Sequence, residues 1–348
     1  MMSLSRRLVV GFAASLVVAA LMTGAAGAMP DHGAKPVATV NWDFMTIQAA
    51  TTKGHTSMGN FEQAFADEVF KKTNGALKIT LRPPGELPYA LNQTVTTVGR
   101  NLVQMGDAGV FSAGEAKAIG VFGLPFLIST PKQFSAAVKV LRPTLSQQLA
   151  TFGAQLLFYY TWPTQTAWGT GSPPTSLADL KGRKMRASSP EQAQFLKTLG
   201  ADPVTLTTPD VAPSLQRGLV DGVVTSGFTA LGTGWGSLLK WGYMTPLGYV
   251  PGLIVVNSSQ MASLTPSVRT ILMQVAAKWQ AKMLTQIPKA ETVYRKALGT
   301  EFNVKIINGN QAADTKLGIG IMKPIWGSWA AQNGLTPQVK ALRRILGK

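Results

Sequence analysis

Apolar residues recur at two spacings along this chain, and the switching between them predicts its elements. Residues 38–48 read as a strand, and His55 to Lys72 carries Met58, Phe61, Phe65 and Val69 at helical spacing. Asn74-Gly75 stops that helix, Leu77 to Leu81 alternates as a short strand, and Pro83-Pro84-Gly85 turns the chain. Leu91 to Val103 predicts a helix and Met105 to Val110 a short buried strand. Strand, helix, strand, helix, strand is the order of an α/β layer with a mostly parallel sheet.

The pattern resumes with helical stretches at 131–141 and 144–152, divided where Pro143 should break one continuous helix. Strands are expected at 155–161 and 183–187. The helix 190–199 ends at Gly200, a left-handed cap in expectation. Val204 to Leu206 is a strand, and Asp210 reads as the N-cap of a helix reaching Arg217, with Pro213 in its first turn. Val220 to Thr225 and Val250 to Asn257 are further strands. Thr265-Pro266 starts a long helical pattern over 264–298, roughly 50 Å at 1.5 Å per residue, long enough to run across two domains. A second helix near 311–333 is interrupted by Pro324.

Ahead of all this lies an export signal. Arg6 and Arg7 precede the apolar run Leu8 to Met22, which is short for a membrane span, and Ala26-Gly27-Ala28 supplies a small-x-small cleavage pattern. The mature chain is expected to be periplasmic, with a loose tail at 29–37.

Composition narrows the chemistry. The 348 residues contain no Cys and two His, His32 and His55, which removes disulfides, thiolate nucleophiles and Cys-based metal sites and leaves little for paired-His catalysis. The formal charge is +17, but Lys and Arg are scattered singly or in pairs, unlike the concentrated basic face of a nucleic-acid binder. Gly232-Thr233-Gly234-Trp235-Gly236 lacks dinucleotide spacing and a P-loop Lys, so it reads as a turn. Glu62, Asp67 and Glu68 share one predicted helix, with Glu62 and Glu68 on opposite flanks of its apolar stripe, which reads as a solvated helix surface.

One stretch is more specific. Leu177-Ala178-Asp179-Leu180-Lys181-Gly182-Arg183-Lys184-Met185-Arg186 puts a loop before a strand that ends in an arginine. Leu199-Gly200-Ala201-Asp202-Pro203-Val204 and Leu215-Gln216-Arg217-Gly218-Leu219-Val220-Asp221-Gly222 follow. Upstream stand Thr73-Asn74-Gly75, Gly85-Glu86-Leu87 and Gly123-Leu124-Pro125-Phe126-Leu127. In this order the motifs resemble the solute-binding proteins of TRAP (tripartite ATP-independent periplasmic) transporters over most of the mature chain.

The resemblance implies an α/β, two-domain periplasmic-binding-protein-like fold with a ligand cleft between the domains and a long C-terminal spanning helix. The domains expected are 38–162 plus about 250–288, and 163–249 plus about 289–348, with the leader at 1–28. It implies capture of a small organic acid and delivery to TRAP-type permease subunits, with no cofactor, no metal, no nucleic acid and no catalysis. An exported hydrolase of small esters or amides is the alternative; it would have to use His55.

By the same resemblance, Arg186 stands where the family's arginine clamps the ligand carboxylate, a task suited to its planar, permanently charged fork. Glu86 lies in a turn that borders the cleft in similar proteins. Thr225 falls where many members have an asparagine, Thr208 where many have an aromatic residue. The run Trp162-Pro163-Thr164-Gln165-Thr166 replaces a segment that often carries a second arginine, so Trp162 and Gln165 are ligand candidates and a monocarboxylate is the expected solute. Trp162, Trp168 and Trp235 could line a more apolar pocket.

Overall fold

The computed structural model describes residues 38–51 and 54–348, and the expected leader and cleavage point lie outside them. The first part of the chain runs β1 (Val40–Met45), α1 (Met58–Lys72), β2 (Leu77–Arg82), α2 (Thr94–Gly99), β3 (Met105–Ala108), α3 (Lys117–Gly123), α4 (Pro131–Thr151) and β4 (Ala154–Thr161). Next come β5 (Gln165–Gly169), β6 (Lys184–Ala187), α5 (Pro190–Leu199), β7 (Asp202–Thr205), α6 (Thr208–Gln216), β8 (Gly222–Thr225), α7 (Gly227–Gly232) and β9 (Trp241–Gly248). The chain closes with β10 (Pro251–Asn257), α8 (Ser258–Ser263), α9 (Pro266–Phe302), β11 (Lys305–Ile307), α10 (Gln311–Gln332) and α11 (Thr336–Leu346).

Two sheets result. The first has the order β2-β1-β3-β10-β4, with β1 parallel to both neighbours and β10 antiparallel to β3 and β4. The second has the order β11-β9-β5-β8-β6-β7, with β6 parallel to β7 and β8 and with β5 antiparallel to β8 and β9. The chain passes from the first sheet to the second through 162–164 and returns through Tyr249 and Val250. The two passages run side by side, Trp162 N–H donating to Val250 O at 3.0 Å. The third crossing is α9, 37 residues and about 55 Å long. Thr265 caps it by accepting from Val268 N–H, and its buried face packs on α1 and β4 of the first sheet and on α7 and β11 of the second. Among the described residues no helix is long and apolar enough to cross a membrane.

Local signals are realised where backbone chemistry alone decides. Gly200 caps α5 with φ +94°, and Asn74 and Gly75 leave α1 with φ of +50° and +82°. Four expectations need correction. Pro143 sits inside one continuous helix, α4, because Phe134, Ala137, Val138, Leu141, Leu145 and Leu149 form a single buried stripe through it, and that burial outweighs one lost hydrogen bond. Pro324 likewise lies within α10. The N-cap of α6 is Thr207; Asp210 is in the first turn, where its Oδ2 accepts from Thr207 Oγ1 at 2.6 Å, and Pro213 falls in the interior. Glu62 is 1% exposed and faces the buried Asp107, so this flank of α1 is not solvated. Strands β5 and β9 escaped the periodicity reading because both of their faces are buried, which erases alternation.

Candidate functional site

A cavity opens where the ends of the parallel strands of both sheets meet. Ile47 reaches it from beyond β1, and Gly109, Val110 and Phe111 from beyond β3. Arg186 and Ser188 reach it from the end of β6, Thr208 from the start of α6, Thr225 from the end of β8 and Thr229 from α7. The crossing segments add Trp162, Gln165, Val250 and Pro251. This is the rule for α/β sheets, in which ligands gather at the carboxyl ends of the strands.

Arg186 is the one charged residue among these. It sits on β6 between Val204 of β7 and Val223 of β8, and it is 3% exposed. Its Nε donates to Leu206 O at 2.9 Å and its Nη1 to Val224 O at 3.2 Å. Both acceptors are main-chain oxygens. Among the described residues no carboxylate lies within hydrogen-bond distance of the guanidinium, and Asp210 acts on it only through space. Burial therefore lowers its pKa to about 10, and the group stays charged at neutral pH. The two carbonyls fix the plane of the fork, and Nη2 has no partner among the described residues.

The remaining polar groups are neutral. Gln165 donates from Nε2 to Pro163 O at 2.9 Å, which leaves Oε1 as an acceptor. The Thr225 carbonyl accepts from Trp168 Nε1 at 3.2 Å, while the hydroxyls of Thr225 and Thr208 make no hydrogen bond with the other described residues. Trp162 closes the apolar side, with its ring 6.1 Å from Phe228 and 5.8 Å from Tyr160.

Behind the site, α9 holds α7 in place. Glu291 is 6% exposed; its Oε1 accepts from Gly227 N–H at 2.9 Å and its Oε2 from Phe228 N–H at 2.8 Å. Arg295 Nε donates to Oε1 at 2.7 Å. Tyr294 stacks on Phe228 at 4.9 Å.

Of the six residues singled out in the sequence, Arg186, Thr225, Gln165, Trp162 and Thr208 share this cavity. Glu86 does not; its carboxylate is half exposed on the turn after β2, 3.7 Å from Arg82 Nη1. Trp168 is wholly buried core, and Trp235 borders a separate hollow that shares Ile47 and Thr208 with the cavity. His55 is also elsewhere, with Nε2 2.9 Å from Glu301 Oε2. Ile47, Gly109, Phe111, Ser188, Thr229 and Pro251 were not anticipated. Part of their signal is positional: Gly109 and Ser188 are the first residues past a strand's carboxyl end and Ile47 the second. Among the described residues no group of acidic or His side chains is arranged to hold a metal ion.

Two sheets joined by paired crossings and a spanning helix, with a lone buried cation at the strand ends between them, define a two-lobed solute-binding protein. Residues 48–332 match the model of the bacterial extracellular solute-binding proteins, family 7. The chain belongs to that family, the solute receptors of TRAP transporters. An extracytoplasmic solute receptor of Bordetella pertussis that binds pyroglutamic acid shares the fold, with TM-score 0.78 and 24% identity over 88% of this chain and 100% of that one. So does a TRAP periplasmic solute-binding protein of Roseobacter denitrificans with bound β-D-glucuronate, with TM-score 0.77 and 19% identity over 87% and 99%. An uncharacterized protein of Salmonella typhimurium is 26% identical over 59% of this chain, and the match spans 64% of that relative's length. The 2,3-diketo-L-gulonate-binding periplasmic protein of Escherichia coli is 24% identical over 64% of this chain and 69% of its own.

Proposed function

We propose that this protein captures a small monocarboxylic acid between its two lobes in the periplasm, after removal of its leader, and hands it to a TRAP-type permease without transforming it. The observation that carries this reading is Arg186: a buried cation with no acidic partner, its fork already oriented, on a cavity whose other lining residues are uncharged. Burying a charge without a counter-ion is costly, and a solute carboxylate removes that cost by forming charge-assisted hydrogen bonds with the fork. A second carboxylate would find no cation and an ammonium group no acid, so dicarboxylates and free amino acids fit poorly. Gln165 Oε1 and the hydroxyls of Thr208 and Thr225 serve neutral polar groups of the solute, and Trp162 and Phe111 its apolar body. Opening and closing of the lobes about 162–164 and Tyr249–Val250 admits and encloses the solute.

A thermal-shift series tests this. Pyroglutamate, glucuronate, 2,3-diketogulonate, a dicarboxylate and an amino acid are each added to the mature protein. Monocarboxylates lacking an amine should raise the midpoint, with stabilisation of about 2.7 kcal/mol at a hundredfold excess over Kd. A larger rise with the dicarboxylate would overturn the charge argument.

A further inference from the structure

Behind the cavity wall lies a polar group that solute capture, as described, does not use. Glu62 of α1 is 1% exposed, and Asp107 of β3 and Tyr160 of β4 are wholly buried. Tyr160 O–H donates to Asp107 Oδ2, and the main chain of Leu253 on β10 also bonds to Asp107. Both oxygens of Glu62 and Oδ1 of Asp107 have no fixed donor. The titratable groups facing the pair are one another and Tyr160; no Lys, Arg or His among the described residues comes within hydrogen-bond distance of either carboxyl.

Two adjacent carboxylates at full burial with no cation repel strongly and lose their hydration, so both cannot stay ionised. One proton between them removes the repulsion and gives the unpartnered oxygens a donor and an acceptor. Burial pushes the pKa values of both carboxyls up, and the neighbouring Asp107 adds to this for Glu62.

The group also ties together the three strands whose ends form the first-sheet side of the cavity. Asp107 is two residues before Gly109, which lines it. The Tyr160 ring lies 5.8 Å from Trp162 and covers Gly252 so closely that a Cβ there would collide with it; Gly252 adjoins Pro251, another lining residue.

We propose that Glu62 is a positioning residue for the solute site: it shares a single proton with Asp107, and that proton holds Tyr160, and through it Trp162 and the ends of β3, β4 and β10, as the cavity wall. The proposal rests on reading the cavity as the solute site, but its test reads the wall itself and needs no solute. With native pKa values raised, the folded state keeps a proton that the unfolded chain releases. The resulting stabilisation is complete below the unfolded carboxyl range and is lost as pH rises through the native values.

The experiment compares the parent with Glu62→Gln, which keeps a donor toward Asp107 but cannot titrate. Trp162 emission is isolated as the difference between each protein and its Trp162→Phe counterpart, and urea midpoints are measured alongside, from about pH 5 to about pH 9. The parent should show a red shift of Trp162 emission and a falling urea midpoint as pH rises; in Glu62→Gln, where only Asp107 remains to titrate, both responses should be much smaller. If Glu62→Gln does not fold, Asp107→Asn, which still accepts from Tyr160, takes its place. A parent without pH response, or a variant with the same response as the parent, overturns the proposal.

Discussion

Nη1 of Arg186 donates to the main-chain oxygen of Val224 at 3.2 Å, so the strand that carries Thr225 also aims the cation. Affinity should therefore depend on the shape of the guanidinium as well as its charge. Arg186→Ala should cost about 2–5 kcal/mol of binding to the best solute found by thermal shift. Arg186→Lys should also weaken it, because an ammonium cannot reproduce the planar fork. Arg183, whose Nε donates to Asp179 O at 2.8 Å outside the cavity, is the control, and Arg183→Ala should bind as the parent does. Calorimetry decides; equal Kd values for all four proteins would remove Arg186 from the site.

The same residue should add little to the stability of the solute-free fold. Burial lowers its native pKa to about 10, so keeping it charged costs on the order of 3 kcal/mol at neutral pH, a cost relieved only as pH rises above about 10. Arg186→Met forgoes two hydrogen bonds from a charged donor, about 1.5 kcal/mol each or more. Cost and gain nearly cancel, so the urea midpoint without solute should stay close to the parent's. A midpoint well below the parent's would contradict the charge-burial argument.

Glu291 should matter to fold and site together. Glu291→Ala strands the N–H groups of Gly227 and Phe228 and leaves Arg295 without its partner, a loss of about 3–5 kcal/mol by the usual cost of breaking a buried charged pair. Glu291→Gln keeps one acceptor oxygen and should lose less. Because Thr229 rides on α7, solute affinity should fall in the same order as stability. Urea denaturation and calorimetry on both variants test this, and an Ala variant as stable as the Gln variant would count against it.

Pro143 offers a gain. Its ring removes one N–H from the middle of α4, whose apolar stripe is otherwise continuous. Pro143→Ala restores the donor, worth about 3 kcal/mol in a helix interior, and returns about 1 kcal/mol of chain entropy to the unfolded state. A rise of about 2 kcal/mol in unfolding free energy is expected; a fall would mean that packing around the ring matters more than the hydrogen bond.

Much of this protein was decided within short stretches of sequence. Gly200 ends α5, Thr265 and Pro266 start α9, and Asn74-Gly75 closes α1, because capping and left-handed backbone depend on a few adjacent residues. The strand carrying Arg186 was legible from its motif for the same reason. Tertiary structure decided the rest. Pro143 and Pro324 remain helical because burial of a stripe longer than the local defect prevails. The strands β5 and β9 are buried on both faces and carry no period to read. Glu62 points inward because Asp107, 45 residues further along, waits beneath it. The cavity itself joins Arg186 and Trp162, which the sequence marked, to Ile47, Phe111 and Pro251, residues of little individual character whose shared role exists only once two sheets bring their strand ends together. A sequence specifies its neighbours along the chain by local energetics, whereas a site between lobes is set by how buried surfaces separated by many residues fit against each other.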